Sequence, residues 1–396
     1  MSSEQYRDLK GPPVLISFLS EKPLYYKEID HERVHIAYGM LQSHIRRPQT
    51  IHIVGTNGKG STGRMIAHLA WQYRRPEFPI SNSVHRVGHF SSPHILRFNE
   101  RIWIDGRDAS NEMLEAAHQR LFAVLGREMS EALSYFEYTT LLAFVVFEHC
   151  DLMVLEAGLG GEFDATNVCD KELSVITPIG VDHQAFLGET IEEIAGTKIR
   201  SIQKKALLAP QPHPEVLEVA QKIAEDVGAT LMLAHPTQDI VQIKDWPEYL
   251  VENASVALQA LDILEIPYSV DDLKCLELFG RYYPLTERIR IDVGHNPLAA
   301  KAIEKALDRQ VVLIYNSLDD KDYEEVLRLL KPKVKRVEII EIDAQRATTI
   351  EAIEKALERI KLPYSRYKNA LDKQEYYLVF GSFYVVEKFL KSTRDI

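Results

Sequence analysis

The stretch Thr50-Ile51-His52-Ile53-Val54-Gly55-Thr56-Asn57-Gly58-Lys59-Gly60-Ser61-Thr62 decides the fold. Thr50 to Val54 is a short β-rich run that feeds a glycine cluster, and Ser61 to Gln72 carries Met65, Ile66, Leu69 and Ala70 at helical spacing. Strand, loop and helix in that order are the setting a phosphate-binding loop needs. Glycines such as Gly58 and Gly60 let backbone N–H groups turn toward phosphate oxygens, and the helix N-terminus adds partial positive charge. Lys59 adds a full charge, and Ser61 or Thr62 offers a hydroxyl to magnesium. Gly60 separates Lys59 from Ser61, so the strict phosphate-loop spacing fails; the plainer alternative is a glycine turn with an exposed lysine.

The same theme recurs on both sides. Thr139 to His149 is an apolar helix, and Leu152 to Glu156 is a buried strand ending in Ala157-Gly158-Leu159-Gly160-Gly161. Ser174 to Ile179 is another strand, closing on Pro178 and Gly180 before Asp182-His183. Ligands of open α/β sheets gather at the carboxyl ends of strands, so these three ends are expected to share one site. From Arg288 the alternation restarts: strand Arg288–Val293, helix Leu298–Leu307, strand Val311–Tyr315, helix Tyr323–Leu330, strand Val334–Ile342, helix Thr348–Ile360 and strand Tyr376–Phe380. The expected architecture is α/β, with a domain over residues 1–280, a linker at 281–287 where Pro284 interrupts the pattern, and a smaller α/β domain over 288–396.

A chain of 396 residues is long enough for two such cores, and 45% hydrophobic with 27% charged residues is the balance of a soluble globular protein. The formal charge of −11 argues against nucleic acid or an anionic membrane as the main partner, so an anionic substrate needs a local positive pocket. Cys150, Cys169 and Cys275 are far apart and lack metal-ligand spacing, which excludes a zinc ribbon and a disulfide framework and makes a reducing cytoplasm the simplest home. The apolar run Val14–Leu19 is too short for a signal-peptide core, and Leu141–Phe147 is far short of a membrane span.

Gly55 to Thr62 resembles the variant phosphate loop of the folylpolyglutamate synthase and dihydrofolate synthase family, within the Mur ligase superfamily. Ser91-Ser92-Pro93-His94 followed by Glu100-Arg101-Ile102, Tyr135-Phe136-Glu137, Glu156 to Asn167, Asp182-His183, Asp292 to Pro297 and Gly381-Ser382-Phe383-Tyr384 resemble further blocks of that family in the same order. The resemblance runs from about Ile29 to Tyr384. It implies a P-loop ATPase-like N-terminal domain, a Rossmann-like C-terminal domain and an ATP-dependent ligase. Such an enzyme joins L-glutamate to dihydropteroate or to a reduced folate through an acyl phosphate. The rival is a Mur-type ligase acting on a cell-wall nucleotide precursor.

The resemblance also implies roles. Asn57, Gly58, Lys59, Gly60, Ser61 and Thr62 would hold the phosphates, and Asn253, Arg281 and Asp292, with His295 in the same block, the rest of ATP. Magnesium would sit on Ser92, Glu156 and His183; for Glu156 the strand end agrees, because a carboxylate closing an apolar strand wants a partner. Lys198 stands where the family carries a carbamylated lysine (N6-carboxylysine), whereas by itself it reads as an ordinary helix-surface lysine. Lys59, Lys198 and His183 are thus the candidate catalytic residues. Ser134, Tyr135, Phe136, Glu137, Phe163, Asp164 and Ala165 match the segments that hold a pterin and benzoate, although Tyr135 and Phe136 equally suit plain core packing. Glu162 departs from the family, which usually has arginine there, and Arg200 stands where the family has a small residue. The family leans toward monomers.

Overall fold

The structure is a computed structural model that describes residues 14–23, 30–73, 86–237, 240 and 245–393; Ile29, where the resemblance begins, lies outside them. The first sheet comprises β1 (Gln49–Val54), β2 (Val87–Phe90), β3 (Ile102–Ile104), β4 (Arg107–Asp108), β5 (Leu152–Glu156), β6 (Leu173–Ile176), β7 (Lys205–Leu208) and β8 (Thr230–Leu233). Their order is β4-β3-β2-β5-β1-β6-β7-β8, parallel except for the β2–β3 and β3–β4 pairs. Period-two alternation explains why these strands read as unbroken apolar runs. Leu152 and Val154 pack with the helices Lys59–Gln72 and Glu248–Ile263, while Met153 and Leu155 pack on the other face with the helices Asn111–Ala132 and Tyr135–Phe147.

The second sheet comprises β9 (Tyr283–Pro284), β10 (Ile289–Ile291), β11 (Val311–Tyr315), β12 (Val334–Ile339), β13 (Tyr364–Arg366) and β14 (Tyr377–Phe380), in the order β13-β12-β11-β14-β10-β9. It too is covered on both faces, with Val311, Leu313 and Tyr315 in one cluster and Val312 and Ile314 in the other. Among the described residues no helix is long and apolar enough to cross a membrane.

Two expectations need correction. The stretch 281–287 is not a free linker, because β9 pairs antiparallel with β10. Pro284 interrupts the periodic pattern but is tolerated in an edge strand, where one side of the backbone needs no partner. Leu278 belongs to the first domain's core and Tyr282 to the second's, so the chain crosses between domains over residues 279–281. The helix expected from Thr139 begins at Tyr135, capped by Ser134, whose hydroxyl accepts from the Glu137 N–H while the Glu137 carboxylate accepts from the Ser134 N–H. This reciprocal cap supplies partners for two helix-end donors, and polar residues at a helix start hide its first turn from hydrophobic periodicity.

This helix lies so close to β2 that a Cβ on Gly88 would fall 2.3 Å from Phe147 Cδ1. Gly88→Ala should therefore destabilise the protein by roughly 1–3 kcal/mol through overpacking, measured as a lowered denaturation midpoint at unchanged slope; an unchanged midpoint would show that the ring yields freely.

Candidate functional site

Strand register builds the centre of the site. β1 lies between β5 and β6, with Ile53 opposite Glu156 and Val54 opposite Ile176, so the loop after β1 meets the ends of both neighbours. Gly55 has φ +142°, and a side chain there would meet Thr177 Oγ1 at 2.0 Å; Gly58 has φ +88°, and a side chain would meet Asn253 Oδ1 at 2.8 Å. Both positions require glycine, for conformation and for space. The helix then starts at Lys59, two residues before its expected start.

Lys59 Nζ donates to the Gly55 and Thr56 carbonyls at 3.2 and 3.3 Å. Lys198, in the helix Ile191–Ile199, donates to the same Gly55 carbonyl at 3.1 Å. Lys198 is only 4% exposed, so the surface reading of this residue fails: the helix turns it inward, under the loop. Burial, with the Lys59 charge beside it, lowers its amine from 10.5 to about 7. Ser61 Oγ donates to the Gly58 carbonyl and accepts from Asn253 Nδ2 at 2.9 Å, whereas Thr62 Oγ1 is buried without a hydrogen-bond partner.

Glu156 is 4% exposed and accepts the Ser92 N–H at 3.2 Å. Burial pushes its carboxyl up, against the opposing pull of Lys59 and Arg281. A buried carboxylate is a hard-oxygen donor of the kind magnesium takes, with waters and phosphates completing the shell. Among the described residues no three His, Cys, Asp or Glu side chains group closely enough to hold a metal by themselves. His183 is in left-handed backbone, φ +52°, and its Nε2 lies 3.3 Å from Lys321 Nζ. Burial, followed by the Lys321, His295 and Lys198 charges, outweighs Asp182 and lowers its ring to about 4, so the imidazole is neutral near pH 7.

The second domain supplies the opposite wall. Asp292, just past β10, accepts from the Tyr282 and Gly294 N–H groups at 2.8 and 2.7 Å and from the Tyr249 hydroxyl at 3.0 Å. Tyr249 belongs to the first domain, in the helix Glu248–Ile263. Asn296 caps the helix Pro297–Ala306 and exchanges amide hydrogen bonds with Asn57 at 3.0 and 2.8 Å. Lys321 pairs with Asp182 at 2.6 Å, both side chains almost wholly buried, and His295 Nε2 lies 3.7 Å from the same carboxylate. Lys321 and Tyr249 escape sequence reading: Lys321 sits in an Asp-Asp-Lys-Asp run that resembles a solvated turn, and Tyr249 carries no local signal.

Asn57, Gly58, Lys59, Gly60, Ser61, Ser92, Glu156, His183, Lys198, Asn253, Arg281, Asp292 and His295 all line one cleft of about 670 Å³ between the domains. The residues matched to the pterin-holding segments do not line it. Glu137 receives Arg33 through both carboxylate oxygens, at 3.0 and 2.8 Å, besides capping its helix. Phe136 packs beneath Gly158 and beside Phe90, and the Arg101 guanidinium lies over the Tyr135 ring. Asp164 is buried, capping the Ala165–Val168 turn and bonding Thr166 Oγ1 at 2.6 Å, and Ala165 is buried with it. Phe163 is half exposed and stacks on His31, with ring centroids 4.3 Å apart. Glu162 forms an ion pair with Arg200.

Phosphates held on one domain and faced by strand ends of another is the layout of Mur-type ATP-dependent ligases. No family model matches the chain. The dihydrofolate synthase/folylpolyglutamate synthase of Escherichia coli K12 is 31% identical over 376 residues, covering 86% of this chain and 84% of that protein. The Helicobacter pylori folylpolyglutamate synthetase structure is 38% identical and covers 96% of this chain and 98% of its own, with a TM-score of 0.77. The bifunctional folylpolyglutamate synthase/dihydrofolate synthase of Yersinia pestis, solved with AMPPNP and manganese, is 25% identical and covers 97% of this chain and 100% of its own, with a TM-score of 0.81. The chain belongs to the dihydrofolate synthase/folylpolyglutamate synthase family of ATP-dependent ligases.

Burial would raise the Asp182 carboxyl, but His295, His183 and Lys321 hold it far below its ordinary 3.8. Its stabilisation is thus fully present above pH 3.8 and lost as pH falls further. Lys321→Ala should cost about 3–5 kcal/mol at neutral pH by leaving that carboxylate buried and unpaired, with the deficit shrinking in acid. Denaturant melts across pH would show this, and a pH-independent deficit would refute it.

Proposed function

We propose that this chain uses ATP to join L-glutamate to the carboxylate of dihydropteroate, to the γ-carboxylate of a reduced folate, or to both. The observation that supports this most is the interdomain cleft in which Lys59, Glu156, Lys198, Arg281 and Asp292 converge. Lys59 and the loop amides take the triphosphate and draw charge from the γ-phosphate as the acceptor carboxylate attacks it. ADP leaves an acyl phosphate, and the glutamate amine displaces phosphate from it to form the amide. The chain's part is to align the reactants and to keep water from the acyl phosphate between the two domains.

Ser92, Glu156 and His183 would hold magnesium. When bound, the ion neutralises phosphate charge. Lys198 is proposed to carry a carbamate: an amine lowered to about 7 is substantially unprotonated at neutral pH, and its attack on carbon dioxide forms the N–C bond and releases one proton. Tyr135, Phe136, Phe163, Asp164 and Ala165, with Ser134 and Glu137 fixing the helix start, are proposed to shape the acceptor's approach. Both cleft walls come from one chain, which supports action as a monomer; Cys150, Cys169 and Cys275 are free thiols, which suits a reducing cytoplasm.

Phosphate release from ATP in the presence of L-glutamate, compared with dihydropteroate, tetrahydrofolate and no acceptor, tests the reading directly. Products should gain one glutamate each by mass, and acceptor-independent release would exclude ligation. Lys59→Ala should abolish turnover with an unchanged melting temperature; near-wild-type activity would overturn the role of the loop. Lys198→Ala should lose activity that formate or acetate partly restores, and full activity without rescue would leave no place for a carbamate.

A further inference from the structure

The loop between β2 and β3 belongs to the first domain, yet its Ile95 is built into the core of the second. Ile95 is 6% exposed and packs in a cluster with Ile289, Ile291, Val293, Val379 and Phe389; among the described residues the other buried members of that cluster all come from the second domain. Its Cδ1 also reaches the crossing between the domains, where a methyl group on Gly280 would meet it at 2.4 Å. At the other end of the same short segment, Ser92 lines the nucleotide cleft and gives its N–H to Glu156.

The loop from Ser91 to Arg97, which contains both ends, is braced. The Glu100 carboxylate accepts the N–H groups of Ile95, Leu96 and Arg97 at 2.7, 3.0 and 2.8 Å. Arg101 Nε donates to His94 Nδ1 at 2.8 Å, and the Ser91 N–H donates to the Arg101 carbonyl at 2.9 Å. A loop whose successive amides share one carboxylate acceptor cannot shift one residue without breaking these bonds, so it moves as a block.

We propose that Ile95 is a positioning residue: pinned in the core of the second domain, it sets the place of Ser92 in the cleft, so that the phosphate site of the first domain is completed only when the domains are docked. Besides its direct Asn296–Asn57 bonds to the phosphate loop, the second domain thereby also controls the place of Ser92, and Glu100 braces the turn in which Ile95 is held. The kinetic part of this inference rests on the reading of the cleft as a glutamate ligase site; the structural part does not.

The test uses the full chain with Ile95→Ala, Ile95→Val, Glu100→Gln and the Ile95→Ala/Glu100→Gln double variant. Hydrogen exchange of the amides from Ser92 to Arg97 should quicken in Ile95→Ala and Glu100→Gln, while the amides of the Lys59 loop keep their protection. In the ligation assay, kcat should fall about ten-fold or more in Ile95→Ala, since misplacement of about 1 Å is enough for such losses. KM for ATP should change less than kcat, and Ile95→Val should recover most of the rate. The double variant should be no worse than the poorer single one, because a lever broken once cannot be broken again. Unchanged exchange over residues 92–97, an unchanged kcat in a folded Ile95→Ala enzyme, or losses that multiply in the double variant would each overturn the proposal. If exchange responds as expected but the wild-type chain ligates nothing, the ligase reading fails and the pinning of the loop stands.

Discussion

Charge buried where parallel strands end is the constraint on which the rest of the structure depends. Glu156 and Lys198 are each 4% exposed, Asp292 5% and Lys321 8%. Ionised groups so far from water are destabilising unless hydrogen-bonded or paired. Two of them, Asp292 and Lys321, take a partner across the domain boundary. Asp182 takes its ammonium from Lys321 of the second domain, and Asp292 takes a hydroxyl from Tyr249 of the first. Asn57 and Asn296 close a third link. Each domain alone would leave buried polar groups short of partners, so the two dock in one arrangement and the cleft between them has a defined shape.

Inside the cleft the balance is deliberately incomplete. Lys59 and Lys198 both point at the Gly55 carbonyl, a single oxygen facing two amines. The cost of that crowding appears in Lys198, whose amine is held near 7 by burial and by its neighbour. A polyanion arriving at the loop relieves the repulsion, and the binding energy gained is then available for orientation. This also resolves the apparent conflict between a net charge of −11 and an anionic substrate. Lys59, Arg281, Lys301 and Lys305 all line the same cleft, so the positive field is local.

Much of this was legible in the sequence because local pattern and tertiary role coincide. The β1 strand, the glycine loop and the following helix were readable, as were Val311–Tyr315 and Tyr323–Leu330 to the residue, since each is a clean apolar run or helical period flanked by turn residues. The first turn of the helix at Tyr135 was not, because Ser134 and Glu137 cap it with polar atoms. The crossing between domains was misplaced because Pro284 reads as a break and serves as an edge. Lys198 could not be placed by periodicity at all: its burial comes from the loop Ala157–Asp164 and the β1 turn, which lie far from it in sequence. Ile95 is invisible for the same reason, since nothing local says that a first-domain loop ends in the core of the second domain.

The acceptor side shows how a departure from a family pattern can be absorbed. Glu162 reverses the charge that the resemblance leads one to expect, and Arg200 brings charge where a small residue is usual. The two side chains pair with each other, and the Glu162 N–H bonds the Thr197 carbonyl in the same helix at 2.9 Å. The two charges are therefore closed within one contact. The position of the pair matters more than its sign: it ties the loop that follows β5 to the helix carrying Lys198.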